Sequence, residues 1–277
     1  MNNKRYLKRI LDIITILWFL IVFVVFVHVV SMLTFDRIIE YKSVPFHSAK
    51  LPLEMNGYKI AFVTDTHEMK AQELEKVVLK LNKIQADLLI LGGDFAYNYD
   101  DMESTIEILS RVSVTDGIYG IEGNHDVFTD LFPVMKRFNI CPLSNSGVHI
   151  RDNFYLAGVK DLWNRSPDIE KAIEGAQDDD FIVLVAHNPD TSMKQDTSAL
   201  DLILSGHTHG GHMTLFGLWA PALTRFGITD YGHRFMSGWS ESRDGTPVYV
   251  SNGTGSYVCA PRVFARPQVI IFTLFVN

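Results

Sequence analysis

Five short polar motifs, most of them at the end of an apolar run, constrain how this chain can fold. In chain order they are DTH at 65–67, GGD ending at Asp94, GNHD at 123–126, a single His187, and GHTH at 206–209. Four of the five directly follow a short, β-branched, apolar run that is typical of a buried strand. Ligands of open α/β sheets gather beyond the carboxyl ends of strands, so we expect these motifs to converge at one edge.

Strand and helix patterns alternate along the first half of the chain. KIAFVTD, DLLILGGD and GIYGIEGNHD read as strands, and helical spacing of apolar residues is found at 71–85, 105–112 and 129–138. This order predicts a mainly parallel sheet with helices on its faces. After His149 come the strands NFYLAGV, FIVLVAH and DLILSGH, a helix at 167–174, and a region rich in glycine, proline and aromatics. That change of texture predicts a second sheet, mixed or antiparallel.

The first 34 residues form a segment of a different class. From Ile13 to Leu33 the chain is apolar except for Thr15, His28 and Ser31, and about 20 such residues can span a bilayer. Four basic residues precede this run, whereas the charges after it cancel, so the N-terminus is predicted to be cytoplasmic. A cleaved signal peptide is the alternative, but the apolar run is long and no small-x-small cleavage site follows it. We therefore expect a single-pass anchor in the cell membrane and an extracytoplasmic domain.

The domain organisation follows from this anchor. Residues 1–34 are the transmembrane helix, 35–57 read as a connecting segment punctuated by prolines and Asn56-Gly57, and 58–277 are long enough for one large α/β domain. The two cysteines, Cys141 and Cys259, have no CxxC partner and are interpreted as small buried residues.

The charge of the chain argues against nucleic acid as a partner. The formal net charge is −7, and residues 1–34 contribute +3 of it, which leaves −10 on the rest. Nucleic-acid binding needs basic stripes that neutralise phosphates, and none is found outside the anchor. No sequence feature indicates an oligomeric state.

The motifs themselves predict a metal site. Asp65-x-His67 and His207-x-His209 each place two ligand side chains two residues apart on an extended exit from a strand. A nitrogen and oxygen ligand set without cysteine fits Mn, Fe or Zn. Each motif alone is weak evidence, and the prediction depends on the ordered combination.

The series D-x-H, G-D, G-N-H-D, H and G-H-x-H, from Asp65 to His209, resembles the calcineurin-like metallophosphoesterases. The N-terminal span, the GHTHGG run and the tail PVYVSNGTGSY are similar to a membrane-associated bacterial branch with phosphodiesterases of the YkuE and YaeI type. The resemblance implies a four-layer α/β/β/α sandwich with two central sheets. It also implies two divalent metal ions bridged by a water or hydroxide that acts as the nucleophile.

The same resemblance implies a role for each motif residue. His125 would be the catalytic residue that protonates the leaving oxygen or stabilises phosphoryl charge, and Asp126 would orient it. His212 stands where relatives commonly have glutamine, and it either contacts substrate or packs behind the ligands. One ion would be held by Asp65, His67, Asp94 and His209, and the other by Asp94, Asn124, His187 and His207.

The expected function is metal-dependent hydrolysis of a phosphodiester or a diphosphate, with a lipid-linked substrate as one candidate. A phosphomonoesterase of the same fold is the alternative within the enzyme class. A non-catalytic metal-binding scaffold is the alternative outside it. Aromatic residues of the C-terminal part either flank an apolar substrate chain or fill the core: Trp219, Phe226, Tyr231, Phe235 and Trp239.

Overall fold

The computed structural model describes residues 2–67, 69–96, 98–126, 131–163, 166–255 and 261–277. The helices and strands in chain order are α1 (Asn2–Leu33), β1 (Glu40–Ser48), β2 (Lys59–Val63), α2 (Ala71–Ile84), β3 (Leu88–Leu91), α3 (Tyr99–Leu109), β4 (Ile118–Gly120), α4 (Leu131–Arg137), β5 (Ile140–Pro142), β6 (Ser146–Arg151), β7 (Phe154–Gly158), α5 (Ile169–Ala172), β8 (Phe181–Val185), α6 (Thr191–Lys194), β9 (Leu202–Ser205), α7 (Ala222–Arg225), β10 (Gly238–Glu241), β11 (Pro247–Val250) and β12 (Gln268–Val276).

The strands form two six-stranded sheets. The first has the order β1-β12-β2-β3-β4-β5 and the second the order β10-β11-β9-β8-β7-β6. In the first sheet only the β12–β2 pair is antiparallel. In the second, the central strands are parallel and the edge strands β6 and β10 are antiparallel to their neighbours. The prediction of a second, mixed sheet is confirmed.

Three apolar layers hold the domain together. The first lies between the first sheet and α2, α3 and α4; for example, Leu74 and Leu81 of α2 are buried in it. The second lies between the two sheets, where Phe62 of β2 and Phe181 of β8 are fully buried. The third covers the outer face of the second sheet and includes Ile169 of α5. This layering is the predicted four-layer α/β/β/α sandwich.

Strand β1 corrects the interpretation of residues 35–57. Residues 40–48 form the edge of the first sheet and pair in parallel with β12, from Glu40–Gln268 to Ser48–Val276. The segment's prolines and Asn56-Gly57 predict a connector, but an edge strand tolerates Pro45, and the half-exposed strand lacks the apolar run of a buried one. The sheet therefore begins well before Tyr58. Cys141 also differs from expectation, because it is exposed, and Cys259 lies outside the described residues.

Helix α1 is long and apolar enough to cross a membrane, with a mean hydropathy of 3.0 over its most apolar stretch and none of that stretch buried. Its last turns contact the domain, and the less exposed residues of this part recur at helical spacing on one face: Val24, Val27, His28, Ser31 and Met32. The Ser31 hydroxyl donates to Asp36 (2.6 Å), which accepts the Phe264 amide (2.8 Å). The exit of the helix is thereby fixed to the domain.

Candidate metal centre

The sequence-predicted ligand residues converge at one end of the two sheets, and all of them are buried. Six of them form two groups whose ligand atoms lie within 4.8 Å of one another. The first group, here the first triad, is Asp65, His67 and His209, and the second triad is Asp94, His187 and His207. The seventh residue, Asn124, contacts the second triad.

The backbone turns sharply where it carries these side chains. Asp65, Asp94 and His207 lie two or three residues after the ends of β2, β3 and β9, and their φ angles are 54°, 56° and 69°. His67 and His209 also have positive φ, at 40° and 53°. Left-handed backbone at non-glycine residues costs of order 1–3 kcal/mol each and persists where surrounding structure enforces it. The concentration of such residues here indicates that the fold maintains strain to aim ligand atoms inward.

Close neighbours leave no room for larger residues beside the carboxylates. A Cβ on Gly206 would collide with a carboxylate oxygen of Asp65, and one on Gly123 would collide with a carboxylate oxygen of Asp94. The glycines of the GHTH and GNHD motifs are therefore required by the approach of these two acids.

The first triad brings two imidazole rings onto one carboxylate. The Nε2 atoms of His67 and His209 lie 3.1 Å apart, and that of His209 lies 3.3 Å from Asp65 Oδ1. Burial lowers the pKa of His67 to about 4 and also holds the pKa of His209 well below its ordinary value. At neutral pH both rings are thus neutral. Two imidazoles converging on a carboxylate suit a divalent cation, which requires deprotonated ligands.

The second triad is oriented by backbone carbonyls. His187 donates from Nδ1 to Gly92 O (2.8 Å), so its Nε2 faces Asp94 Oδ2 at 3.2 Å. His207 donates from Nε2 to Ile228 O (2.9 Å), so its Nδ1 faces Asn124 Oδ1 at 2.8 Å. Such bonds fix the tautomer and the ring orientation of metal-binding histidines. Burial and the nearby His187 lower the pKa of His207 to about 3, which keeps it neutral.

Asp94 belongs to the second triad and also faces the first. Its Oδ2 is 3.2 Å from His187 Nε2 and 3.6 Å from His67 Nε2. Burial opposes ionisation of this carboxyl, but His187 and His67 outweigh it and hold its pKa below the usual range. The same contacts raise the pKa of His187 against its own burial. An ionised carboxylate placed between two ligand groups fits a bridge between two cations.

Asp126 contacts the backbone that carries Asp94. Its Oδ2 accepts the amides of Asp94 (2.6 Å) and Gly123 (2.8 Å), and its Oδ1 accepts the amide of Phe95 (2.9 Å). Burial and the charge of Asp94 raise the pKa of Asp126 to about 8. These bonds tie the GGD loop to the GNHD loop. The predicted role of Asp126 in orienting His125 stays a prediction.

His125 lies beside the first triad and is half-buried, so it is more exposed than the buried ligand residues. Its amide donates to Asp94 Oδ1 (2.8 Å), and its ring lies 5.3 Å from the ring of His67. The ring is thus beside the first triad and remains accessible to solvent. This placement suits a group that exchanges a proton with a bound molecule.

A cavity of about 240 Å³ lies beside both triads, because His207 of the second triad and His209 of the first both line it. His212 and the apolar residues Trp163, Met213 and Phe226 also line it, and the Trp163 ring lies 4.5 Å from that of His207. His212 is buried with its ring 4.9 Å from that of His209. His212, the candidate substrate-contacting residue, therefore packs against the metal-ligand candidate His209 and also lines the cavity.

Two other charged residues near the centre are buried. Asp161 is one of them, and its charge contributes to the raised pKa of His187. Arg262 was not singled out by the sequence, yet it is buried and donates to His209 O (3.2 Å) and Gly255 O (2.9 Å). No short motif marks this arginine, because its contact with the metal-ligand candidate His209 joins residues 53 positions apart in the chain.

The model of the calcineurin-like phosphoesterase family matches residues 58–211. The metallophosphoesterase YkuE of Bacillus subtilis is 28% identical over 253 residues, which cover 86% of each chain. A metallophosphoesterase of Helicobacter pylori is 28% identical over 84% of this chain and 63% of its own length.

A vertebrate relative is named as a transmembrane protein. The transmembrane protein with metallophosphoesterase domain of Danio rerio is 29% identical over 79% of this chain. The matched part is 54% of that relative, so the chain spans only about half of its length.

Proposed function

Because the chain belongs to the calcineurin-like phosphoesterase family and is a metal-dependent phosphoester hydrolase, we propose that it hydrolyses a phosphodiester or a diphosphate at the two triads. The observation that carries this proposal is that Asp94 of the second triad also faces His67 of the first, with half-buried His125 beside them.

The donor set determines where metal ions would be held. Asp65, His67 and His209 would bind one ion, and His187, His207 and Asn124 the other, with Asp94 shared. These nitrogen and oxygen ligands suit Mn, Fe or Zn. When bound, such a pair of ions supplies Lewis acidity and an activated water for in-line displacement at phosphorus.

The chain's own residues have separable tasks in this proposal. His125 donates a proton from its ring to the leaving oxygen. Among the described residues it is the only motif histidine that is half-exposed rather than buried. Asp126 holds the backbone of Asp94 and Gly123 and so maintains the bridging carboxylate in place.

We propose further that the substrate is lipid-linked and that α1 anchors the domain at the outer face of the cell membrane. The basic residues before the apolar run support a cytoplasmic N-terminus. The apolar wall of the cavity, which includes Met213 and Phe226, supports a substrate with an apolar part. The aromatic residues of the C-terminal part differ in burial, because Phe235 is buried in the core, whereas Trp219 and Phe226 are exposed.

The first test measures hydrolysis by the full chain in detergent after metal has been removed by chelation. Mn²⁺, Fe²⁺ or Zn²⁺ is then returned, and the rates on bis-p-nitrophenyl phosphate and p-nitrophenyl phosphate are compared. We expect activity that returns with metal and a higher rate on the diester. A higher rate on the monoester would favour a phosphomonoesterase, and no activity in protein that binds two ions per chain would favour a scaffold.

The lipid part of the proposal has a separate test. The same loaded protein is given a detergent-dispersed lipid diphosphate or a soluble nucleoside diphosphate ester of equal headgroup chemistry. We expect a higher kcat/KM for the lipid. Equal values would contradict the lipid-linked substrate while leaving the hydrolase intact.

A further inference from the structure

Exposed apolar side chains are concentrated in one short segment of the domain. Outside α1, thirteen large apolar side chains are exposed among the described residues, and six of these lie between positions 213 and 226. Leu218 is 81% exposed and Phe226 is 72% exposed. The six are Met213, Leu215, Phe216, Leu218, Trp219 and Phe226. We call residues 213–226 the apolar segment. Contiguous exposed apolar surface of this kind marks an interaction site.

The apolar segment touches the membrane-span candidate directly. The ring of Phe216 lies 4.6 Å from that of His28, and the ring of Phe264 lies 5.0 Å from it. His28 lies five residues before the end of α1 at Leu33, which is about 7.5 Å along a helix axis. The apolar run that ends at Leu33 is about 31 Å long, the thickness of a bilayer's hydrocarbon core. A group beside His28 is therefore level with the outer part of that core.

We propose that the apolar segment docks into the same bilayer that α1 spans, as a second membrane contact of the domain. This inference rests on the proposed role of α1 as the anchor. The occupant of the surface is lipid, because the segment is continuous with the lipid-facing helix through Phe216. Arg225 beside Phe226 and Arg37 just after α1 are exposed, and cationic side chains at this level attract anionic headgroups.

Docking determines where the metal centre opens. Met213 and Phe226 of the apolar segment also line the cavity that contains His207, His209 and His212. With the segment in the outer leaflet, the cavity opens at the level of the headgroups. A phosphate that is part of a lipid headgroup then reaches the ligands without leaving the bilayer surface.

The test maps lipid contacts independently of catalysis. The full chain is reconstituted in vesicles of phosphatidylethanolamine and phosphatidylglycerol that contain a phospholipid with a photoreactive acyl chain, and adducts are located by mass spectrometry after irradiation. We expect adducts on α1 and on peptides containing Leu218 and Trp219. Leu218→Glu should lower labelling of the apolar segment at least fivefold while labelling of α1 stays the same.

Leu53→Glu is the matched control. Leu53 is 80% exposed, close to the 81% of Leu218, but it lies beyond the far end of β1, a strand of nine residues that is about 30 Å long. This variant should leave all labelling unchanged. Labelling confined to α1 in the unmodified chain would overturn the docking proposal alone. Absence of label from α1 would overturn both the anchor and the docking. Cross-links between two copies through residues 213–226, formed when a bifunctional cross-linker is added to the same vesicles, would overturn lipid as the occupant.

Discussion

The two sheets supply different chemistry to the metal centre. Loops after β2, β3 and β4 of the first sheet provide both carboxylates, the amide and one imidazole, whereas loops after β8 and β9 of the second sheet provide imidazoles alone. The acids therefore approach from one side and most of the nitrogen ligands from the other. Each triad contains residues of both sheets, so neither sheet alone holds a complete triad.

This division makes the centre depend on how the sheets pack. The His207 amide donates to Asp65 Oδ1 (3.1 Å), and the Thr254 amide donates to Thr64 O (3.0 Å), so backbone bonds cross between the sheets at the ligands. Behind these bonds, Phe62, Phe181 and Phe272 fill the apolar layer between the sheets. The site thus depends on the packing of both sheets. Substitutions of its carboxylates should affect metal binding, whereas substitution of His125 should affect turnover.

Asp94→Asn should remove the one carboxylate that faces histidines of both triads. We expect kcat to fall by more than about 10⁴-fold, because charge stabilisation by two bound ions is worth several kcal/mol. Metal content should fall below one ion per chain by elemental analysis. Asp180→Asn is the control, since Asp180 is equally buried but binds His149 (2.7 Å) away from the site. Full activity with two bound ions in Asp94→Asn would contradict the bridging role.

His125→Ala should separate proton transfer from metal binding. We expect kcat to fall by about 10³-fold, within the range of general acid catalysis, with two ions still bound. A leaving group of low pKa should restore part of the rate, because it needs no proton. Steady-state kinetics with a series of aryl leaving groups measures this, and an unchanged kcat would exclude the assigned role.

Asp126→Asn should weaken the acidic side without removing a ligand. An asparagine offers one oxygen in place of two to the three amides that Asp126 accepts, so the bridging Asp94 is less well held. We expect metal affinity to fall by about 10–100-fold, as for other groups that orient ligands. Isothermal titration calorimetry measures the affinity. Unchanged affinity together with a loss of kcat would instead support its predicted role in orienting His125.

The pH dependence of metal binding should follow the acidic side. Burial raises the pKa of Asp65 to about 6, so this ligand is ionised above that pH and protonated below it. Metal affinity should therefore be lost as pH falls, by about tenfold per unit below pH 6. Calorimetry in buffers of different ionisation enthalpy measures the affinity and the released protons together. An affinity that is constant between pH 5 and pH 8 would contradict this.

The sequence predicts much of this centre because strands and their exits are local signals. Apolar runs such as that of β3 locate the strands, and motif order places Asp65, Asp94 and His207 at their ends. The contacts of Arg262 and of His28 depend on partners distant in sequence, so no local pattern reveals them. β1 was missed for a related reason, since a half-exposed edge strand is defined by its pairing with β12.

The pairing of β1 with β12 limits how early the first sheet can form during synthesis. Glu40 and Gln268 are hydrogen-bonded neighbours separated by 228 positions in the chain. At about 5–20 residues per second of synthesis, β1 would wait roughly 10–45 s for its partner. During this interval the edges of β1 and β2 that β12 later covers would be open. Chaperones that bind extended segments would have their main opportunity then. The first sheet is complete only when β12 inserts between β1 and β2.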